Sequence, residues 1–317
     1  MRGGCPARKR SQLLRSQSIA LCAAKGEEYK GKRKNDKFRK LKRWKAHLYS
    51  YLNLYAVFRG VKIFILKECF PYVKRSDIRI CILRIEGTNC EDETKRGFDK
   101  LGVKAEIKHL KELKGLFDYH ILILPGGFSA GDYVASGAIM AARIRAKFYD
   151  SLKDFIREGR IIGGICNGFQ VLMNLNLLDV EAALTTNMSA RFECMPVFVR
   201  KEKNCAFTEE ADRLLCLPVA HAEGRVIGRI DEEQIVFRYA KPDGSLAEGE
   251  YPYNPNGSRD DIAAICSSEG NVFGMMPHPE RVLEHVNQHD WTREAPGVEG
   301  EGMQVFRSVV DYAEREL

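Results

Sequence analysis

The stretch IIGGICNGFQVLMN, residues 161–174, decides how this chain is read. Its first five residues are an unbroken apolar run of strand length, and the residues from Phe169 onward carry apolar side chains at helical spacing. Between them, Gly164-Ile165-Cys166-Asn167-Gly168 has the G-x-nucleophile-x-G form, which lifts a side chain onto a sharp strand-to-helix turn. Flanking glycines let the chain turn tightly, and the N–H groups and dipole of the following helix favour a thiolate over a thiol. Packing alone does not ask for glycine on both sides of a small residue. Cys166 is therefore the candidate nucleophile.

On either side of this elbow the pattern alternates strand and helix. IRICILRI (78–85) is a short apolar run ended by Glu86-Gly87-Thr88-Asn89, and Cys90 to Leu101 follow at helical spacing with Asn89 as the expected N-cap. VKAEIKHL (103–110) and HILILPGG (120–127) read as further strands, the second buried on both faces by its ILIL core. A long helical pattern runs from Gly137 to Glu158 and is closed by Gly159. The alternation predicts an α/β fold with a mostly parallel central sheet flanked by helices. Beyond the elbow, residues 196–240 are β-rich (VFVR, RVIGRI, QIVFRYA). IAAIC (262–266) and VFGMM (272–276) read as a hairpin turning at Glu269-Gly270-Asn271, and an amphipathic helix spans Gln304 to Glu314.

Charge divides the chain unevenly. Of the net +7 over 317 residues, residues 1–77 carry +16 and the remainder −9. We read residues 1–77 as a basic N-terminal extension, disordered or loosely helical, and residues 78–317 as the catalytic domain. Within the extension, Ala46 to Phe70 is richer in apolar residues and could pack as a helix or strand; the first 26 residues, basic and free of acid, resemble a transit peptide, but a mis-assigned translation start or a dispensable extension is the favoured reading, ahead of nucleic-acid contact and of targeting. An acidic catalytic domain argues against nucleic acid as its partner. Arg59, Lys62 and Lys67 interrupt the one long apolar segment, so no membrane span is expected. The ten cysteines include no C-x-x-C pair and no zinc-type Cys/His spacing, which fits a reducing cytoplasm and no metal site. No P-loop of the G-x-x-x-x-G-K-[ST] form occurs.

A cysteine nucleophile needs a base and oxyanion donors. His278, in Met276-Pro277-His278-Pro279-Glu280, stands at the end of an expected strand in a proline-stiffened loop, where Glu280 can reach back to one ring nitrogen. Leu124-Pro125-Gly126-Gly127-Phe128 ends a central strand at the carboxyl edge of the sheet, where open α/β folds gather their sites. The N–H groups of Gly127 and Asn167 are the candidate oxyanion donors.

LPGGFSAGDY, GGICNGFQVLMN, NMSARFECMP and MMPHPER, in this order and spacing, resemble the class I (triad) glutamine amidotransferases, over Ile78 to Leu317. RIEGTNCEDET, GGFSAGDY and RFEC are similar to members that serve as separate glutaminase subunits in purine synthesis. The resemblance implies a flavodoxin-like sheet, a Cys166-His278-Glu280 triad, a glutamyl thioester, and L-glutamine as substrate. It also implies that ATP and Mg²⁺ belong to a synthetase partner rather than to this chain, and that a small third protein completes the complex. Gln170 and the loop around Arg191 and Phe192 match segments that line the glutamine pocket. Ala130 and Ala135 depart from the pattern, where many members have Tyr and Arg; if those positions touch the synthetase, docking differs here. Two other readings stay open: a partner-free cysteine hydrolase or deglycase-like enzyme of the same superfamily, and a nucleic-acid-associated protein with a vestigial enzyme.

Overall fold

The computed structural model of the chain describes residues 73–293 and 299–317, so the expectations for residues 1–72, including Ala46 to Phe70, lie outside the described residues. The elements run β1 (Arg79–Arg84), α1 (Glu91–Lys100), β2 (Lys104–His109), β3 (Ile121–Leu124), α2 (Ala138–Arg157), β4 (Ile161–Ile165) and α3 (Asn167–Leu175). They continue as β5 (Glu181–Thr185), β6 (Glu193–Lys201), β7 (Leu214–His221), β8 (Arg225–Arg229), β9 (Ile235–Ala240), β10 (Ile262–Cys266), β11 (Val272–Met275) and α4 (Met303–Glu316).

Nine strands form one sheet in the order β2-β1-β3-β4-β11-β10-β9-β6-β7. The first five are parallel to one another, and this half has the flavodoxin-like order expected from the sequence. The β10–β11 hairpin, with Ile265 opposite Gly274, turns the sheet into an antiparallel wing of β10, β9, β6 and β7. RVIGRI does not enter this sheet. Its residues form β8, which pairs with β5 in a separate ribbon; only Val226 of β8 is buried, too little apolar surface to hold a place in the main core.

Side-chain alternation along β4 shows how the layers stack. A Cβ at Gly163 would lie 2.6 Å from the Phe207 ring, on the face where Phe98 of α1 and Phe306 of α4 meet edge to face at 4.9 Å. A Cβ at Gly164 would lie 2.7 Å from Leu172 of α3, on the opposite face, against which α2 also packs. β3 and β4 are buried along their whole length, as strands covered on both sides must be.

One helix boundary differs from expectation. Cys90, not Asn89, occupies the cap position of α1, and no side chain caps the helix. Three acids, Glu91, Asp92 and Glu93, instead face the positive end of its dipole. Arg75, inside the expected extension, bonds Glu314 at 3.3 Å and also Asp311, so the chain is fastened to α4 before Ile78. Among the described residues no helix is long and apolar enough to cross a membrane, and Cys81, Cys90, Cys166, Cys194, Cys205, Cys216 and Cys266 are free.

Candidate active site

Cys166 stands between the last residue of β4 and the first of α3 with φ +50° and ψ −105°, a conformation that non-glycine residues hold only when their surroundings enforce it. The enforcement is visible. The Cys166 N–H donates to the Met275 carbonyl of β11 at 2.7 Å, and its carbonyl accepts from Gln170 N–H at 3.1 Å. The glycines of the motif serve close approach rather than unusual dihedrals, since neither has positive φ. A Cβ on Gly164 would stand 2.6 Å from the Gly168 carbonyl oxygen, and one on Gly168 would collide with the Leu124 carbonyl of β3. Backbone on three sides thus fixes the bend.

β11 lies beside β4 with Met275 opposite Ile165, so the residues after it emerge next to the elbow. His278 N–H donates to the Pro218 carbonyl of β7 at 2.8 Å, anchoring the loop on its other side. The His278 ring and the Glu280 carboxylate are buried, and Nδ1 meets Glu280 Oε1 at 2.5 Å. Nε2 lies buried with no hydrogen-bond partner among the described residues, and the thiols of Cys166 and Cys90 are close polar neighbours of the ring. Burial alone pushes the imidazole down, but the Glu280 charge and the two sulfurs outweigh it, and the pKa is held well above its ordinary value. The Cys166 thiol donates to the Ala220 carbonyl at 3.6 Å. The three residues expected to form a triad are therefore brought together from β4, β11 and the loop that follows.

The oxyanion candidates border the same point. A Cβ on Gly126 would fall 2.7 Å from His278 Cε1, so the Gly126–Gly127 peptide lies against the imidazole edge. Gly127, with φ +133°, bridges Thr88, and the bonds that hold this pairing use the N–H groups of Asn89 and Phe128. Asn167 clamps the next loop: its Oδ1 accepts from Ser129 N–H at 3.3 Å and its Nδ2 donates to Asp132 at 3.0 Å. Ala130, Asp132 and Val134 in that loop all have positive φ.

The three pocket candidates differ in kind. Gln170 is buried with its amide engaged at both ends, Oε1 accepting from Asn167 at 2.9 Å and Nε2 donating to the Glu223 carbonyl at 2.5 Å. Arg191 and Phe192 are exposed, and Phe192 faces Phe128 with ring centroids 6.1 Å apart.

Sequence reasoning missed Cys90, Asn187, Glu223 and His221. Asn187 Nδ2 donates to the Arg191 and His221 carbonyls at 2.9 and 2.8 Å, which leaves its Oδ1 to accept from Gly224 N–H at 3.0 Å and from His221 Nδ1–H at 3.1 Å. This fixes His221 as the neutral Nδ1–H tautomer. Burial, with the nearby His278, pushes its pKa down to about 3. The unfolded chain takes up this proton near the ordinary 6.5 and the folded chain only near 3, so stability present above that window is lost as pH falls through it. From pH 7 to pH 5, wild type should lose about 2 kcal/mol that His221→Gln does not, as read from denaturant midpoints. Equal losses in the two proteins would contradict this assignment.

The pattern described as a CobB/CobQ-like glutamine amidotransferase domain matches residues 77–313. The phosphoribosylformylglycinamidine synthase subunit PurQ of Archaeoglobus fulgidus is 44% identical over 76% of this chain and 99% of that relative. PurQ of Thermus thermophilus is 41% identical over 66% of this chain and 92% of its own length. Among solved structures, a chain of PurLQS from Thermotoga maritima superposes with a TM-score of 0.62 at 33% identity, covering 74% of this chain and 99% of that one. A strained cysteine beside a buried His–Glu pair, on a flavodoxin-like half-sheet matched by this pattern over three-quarters of the sequence, makes the chain a member of the CobB/CobQ-like glutamine amidotransferase family.

Proposed function

We propose that the chain is the glutaminase subunit of phosphoribosylformylglycinamidine synthase, supplying ammonia from L-glutamine for amidine formation in purine (IMP) biosynthesis. The observation that carries this reading is the buried His278–Glu280 pair beside Cys166, in a chain that matches a PurQ along nearly the whole of that relative.

In this reading Cys166 attacks the carboxamide carbon of glutamine, and the N–H groups of Gly127 and Asn167 receive the developing oxyanion. His278 gives its proton to the departing nitrogen, releasing ammonia and leaving a glutamyl thioester. The imidazole then takes a proton from water, whose oxygen attacks the thioester carbon; glutamate leaves and the thiol is restored. Glu280 holds the imidazole with Nδ1–H toward itself and Nε2 toward the reacting atoms. Arg191 and Phe192 rim the glutamine pocket, and Gln170 fastens its floor through Asn167 and Glu223.

The ammonia goes to PurL, where ATP and Mg²⁺ act, with PurS completing a cytoplasmic complex. Residues 78–317 suffice for this chemistry, and the basic residues before them are dispensable to it. The test is to combine the chain with PurL and PurS and to follow amidation with glutamine or ammonium as nitrogen donor. Glutamine should support product only when the chain is present, and ammonium should do so without it. Glutamine-driven amidation that is indifferent to the chain would defeat the proposal.

A further inference from the structure

We propose that Cys90 is a positioning residue of this site, the joint that holds the His278–Glu280 pair, the Gly126–Gly127 segment and Arg281 in register. The inference rests on the proposed triad only for its effect on rate. Its sulfur, a ring nitrogen of His278 and a carboxylate oxygen of Glu280 lie within 4.8 Å of one another, all buried. Arg281 Nη2 donates to the sulfur at 3.2 Å, and the thiol in turn donates to Asn89 Oδ1 at 3.3 Å. Donor and acceptor capacity of a single thiol are thus both used.

The backbone of residue 90 closes the arrangement. Its N–H donates to the Gly126 carbonyl at 3.3 Å, and a Cβ on Gly126 would meet the Cys90 sulfur at 3.3 Å as well as the imidazole. One residue therefore touches the segment that carries an oxyanion donor, the base, and the carboxylate that orients the base. It also directs a cation. Glu280 Oε2 is buried without a partner among the described residues, while Arg281, the next residue, donates to the sulfur. The positive charge stays close enough to steady the carboxylate, without a direct fork that would compete with the imidazole for it. Glu280, Cys166, Cys90 and His221 act electrostatically on the imidazole, and Arg281 and Glu93 stand behind.

The test compares Cys90→Ala and the bulkier apolar Cys90→Val with Cys90→Ser in the full chain, using ¹⁵N shifts of the His278 ring without glutamine. In the apolar variants the ring's titration midpoint should fall by roughly one pH unit, as the thiol is among the groups that keep the proton on the ring. Serine, which can both accept from Arg281 and donate to Asn89, should restore at least half of the shift. With glutamine, kcat in the apolar variants should drop roughly tenfold with KM within about twofold. An unchanged midpoint in whichever apolar variant folds, or a change in KM alone, would overturn the proposal. The titration needs no substrate, so a wild-type chain that fails to hydrolyse glutamine would defeat the proposed function and not this one.

Discussion

Cys166→Ala should lose glutamine-dependent amidation by roughly 10⁴-fold or more, while added ammonium still drives the synthetase in the assembled complex. The split follows from where the thiol sits. Removing one sulfur removes the only atom that can form the glutamyl thioester, but the replacement is smaller than the thiol and asks nothing new of the backbone. The bonds that set the elbow, from Cys166 N–H to Met275 and from Gln170 N–H to the Cys166 carbonyl, are main-chain bonds and survive. Docking to the partner should therefore persist, and co-purification of the variant with the synthetase reports it. Alanine in the φ +50°, ψ −105° pose costs about 1–3 kcal/mol, no more than cysteine does there. A Cys166→Ala chain that still turned over glutamine would remove the nucleophile from the scheme. One that no longer co-purified with the synthetase would move the effect from chemistry to assembly.

Gly168→Ala should be more damaging to the fold than any single methyl group added at the surface. Its Cβ would run into the Leu124 carbonyl, with the Leu124 Cβ 2.9 Å away, and neither is the end of a flexible side chain. β3 can retreat only by breaking its register with β4, where Leu124 pairs with Gly164. The expected cost is roughly 3 kcal/mol or more, at the upper end for inserted atoms because main chain has to move. Denaturant midpoints would read it. Any protein that folds should be nearly inactive, since the elbow shifts relative to His278. A near-wild-type midpoint would show that α3 can draw back from β3 at little cost.

The parts of the site that were legible in the sequence are those written locally. Gly164 to Gly168 carries its turn, its helix start and the proposed nucleophile within five residues, and Pro277-His278-Pro279-Glu280 carries the proposed base and orienting carboxylate two positions apart. The parallel strands were legible because burial on both faces leaves runs such as ILIL and IIGGI. What could not be read is what tertiary contact assigns. Asn187, His221 and Glu223 are ordinary polar residues until β7 ends beside the elbow, where the Asn187 and His221 side chains meet and the Glu223 carbonyl accepts from Gln170. Cys90 carried no signal beyond the start of a helical stretch, and its polar contacts depend on an arginine 191 positions away. The expected cap at Asn89 failed for a related reason: its side chain takes the Cys90 proton and its N–H reaches toward Gly126. RVIGRI had strand composition, but only the neighbours decide which sheet a strand joins, and β8 found β5.

The bond from Cys166 N–H to Met275 spans 109 positions, and it belongs to a strand pair that cannot form until residue 275 exists. A chain still being synthesised carries its cysteine for that whole interval without the strand that bends it or the imidazole that would switch it on. Reactivity therefore waits for β11 and the loop after it to be made. A ribosome that stalls before β11 releases a product whose thiol is as inert as any other.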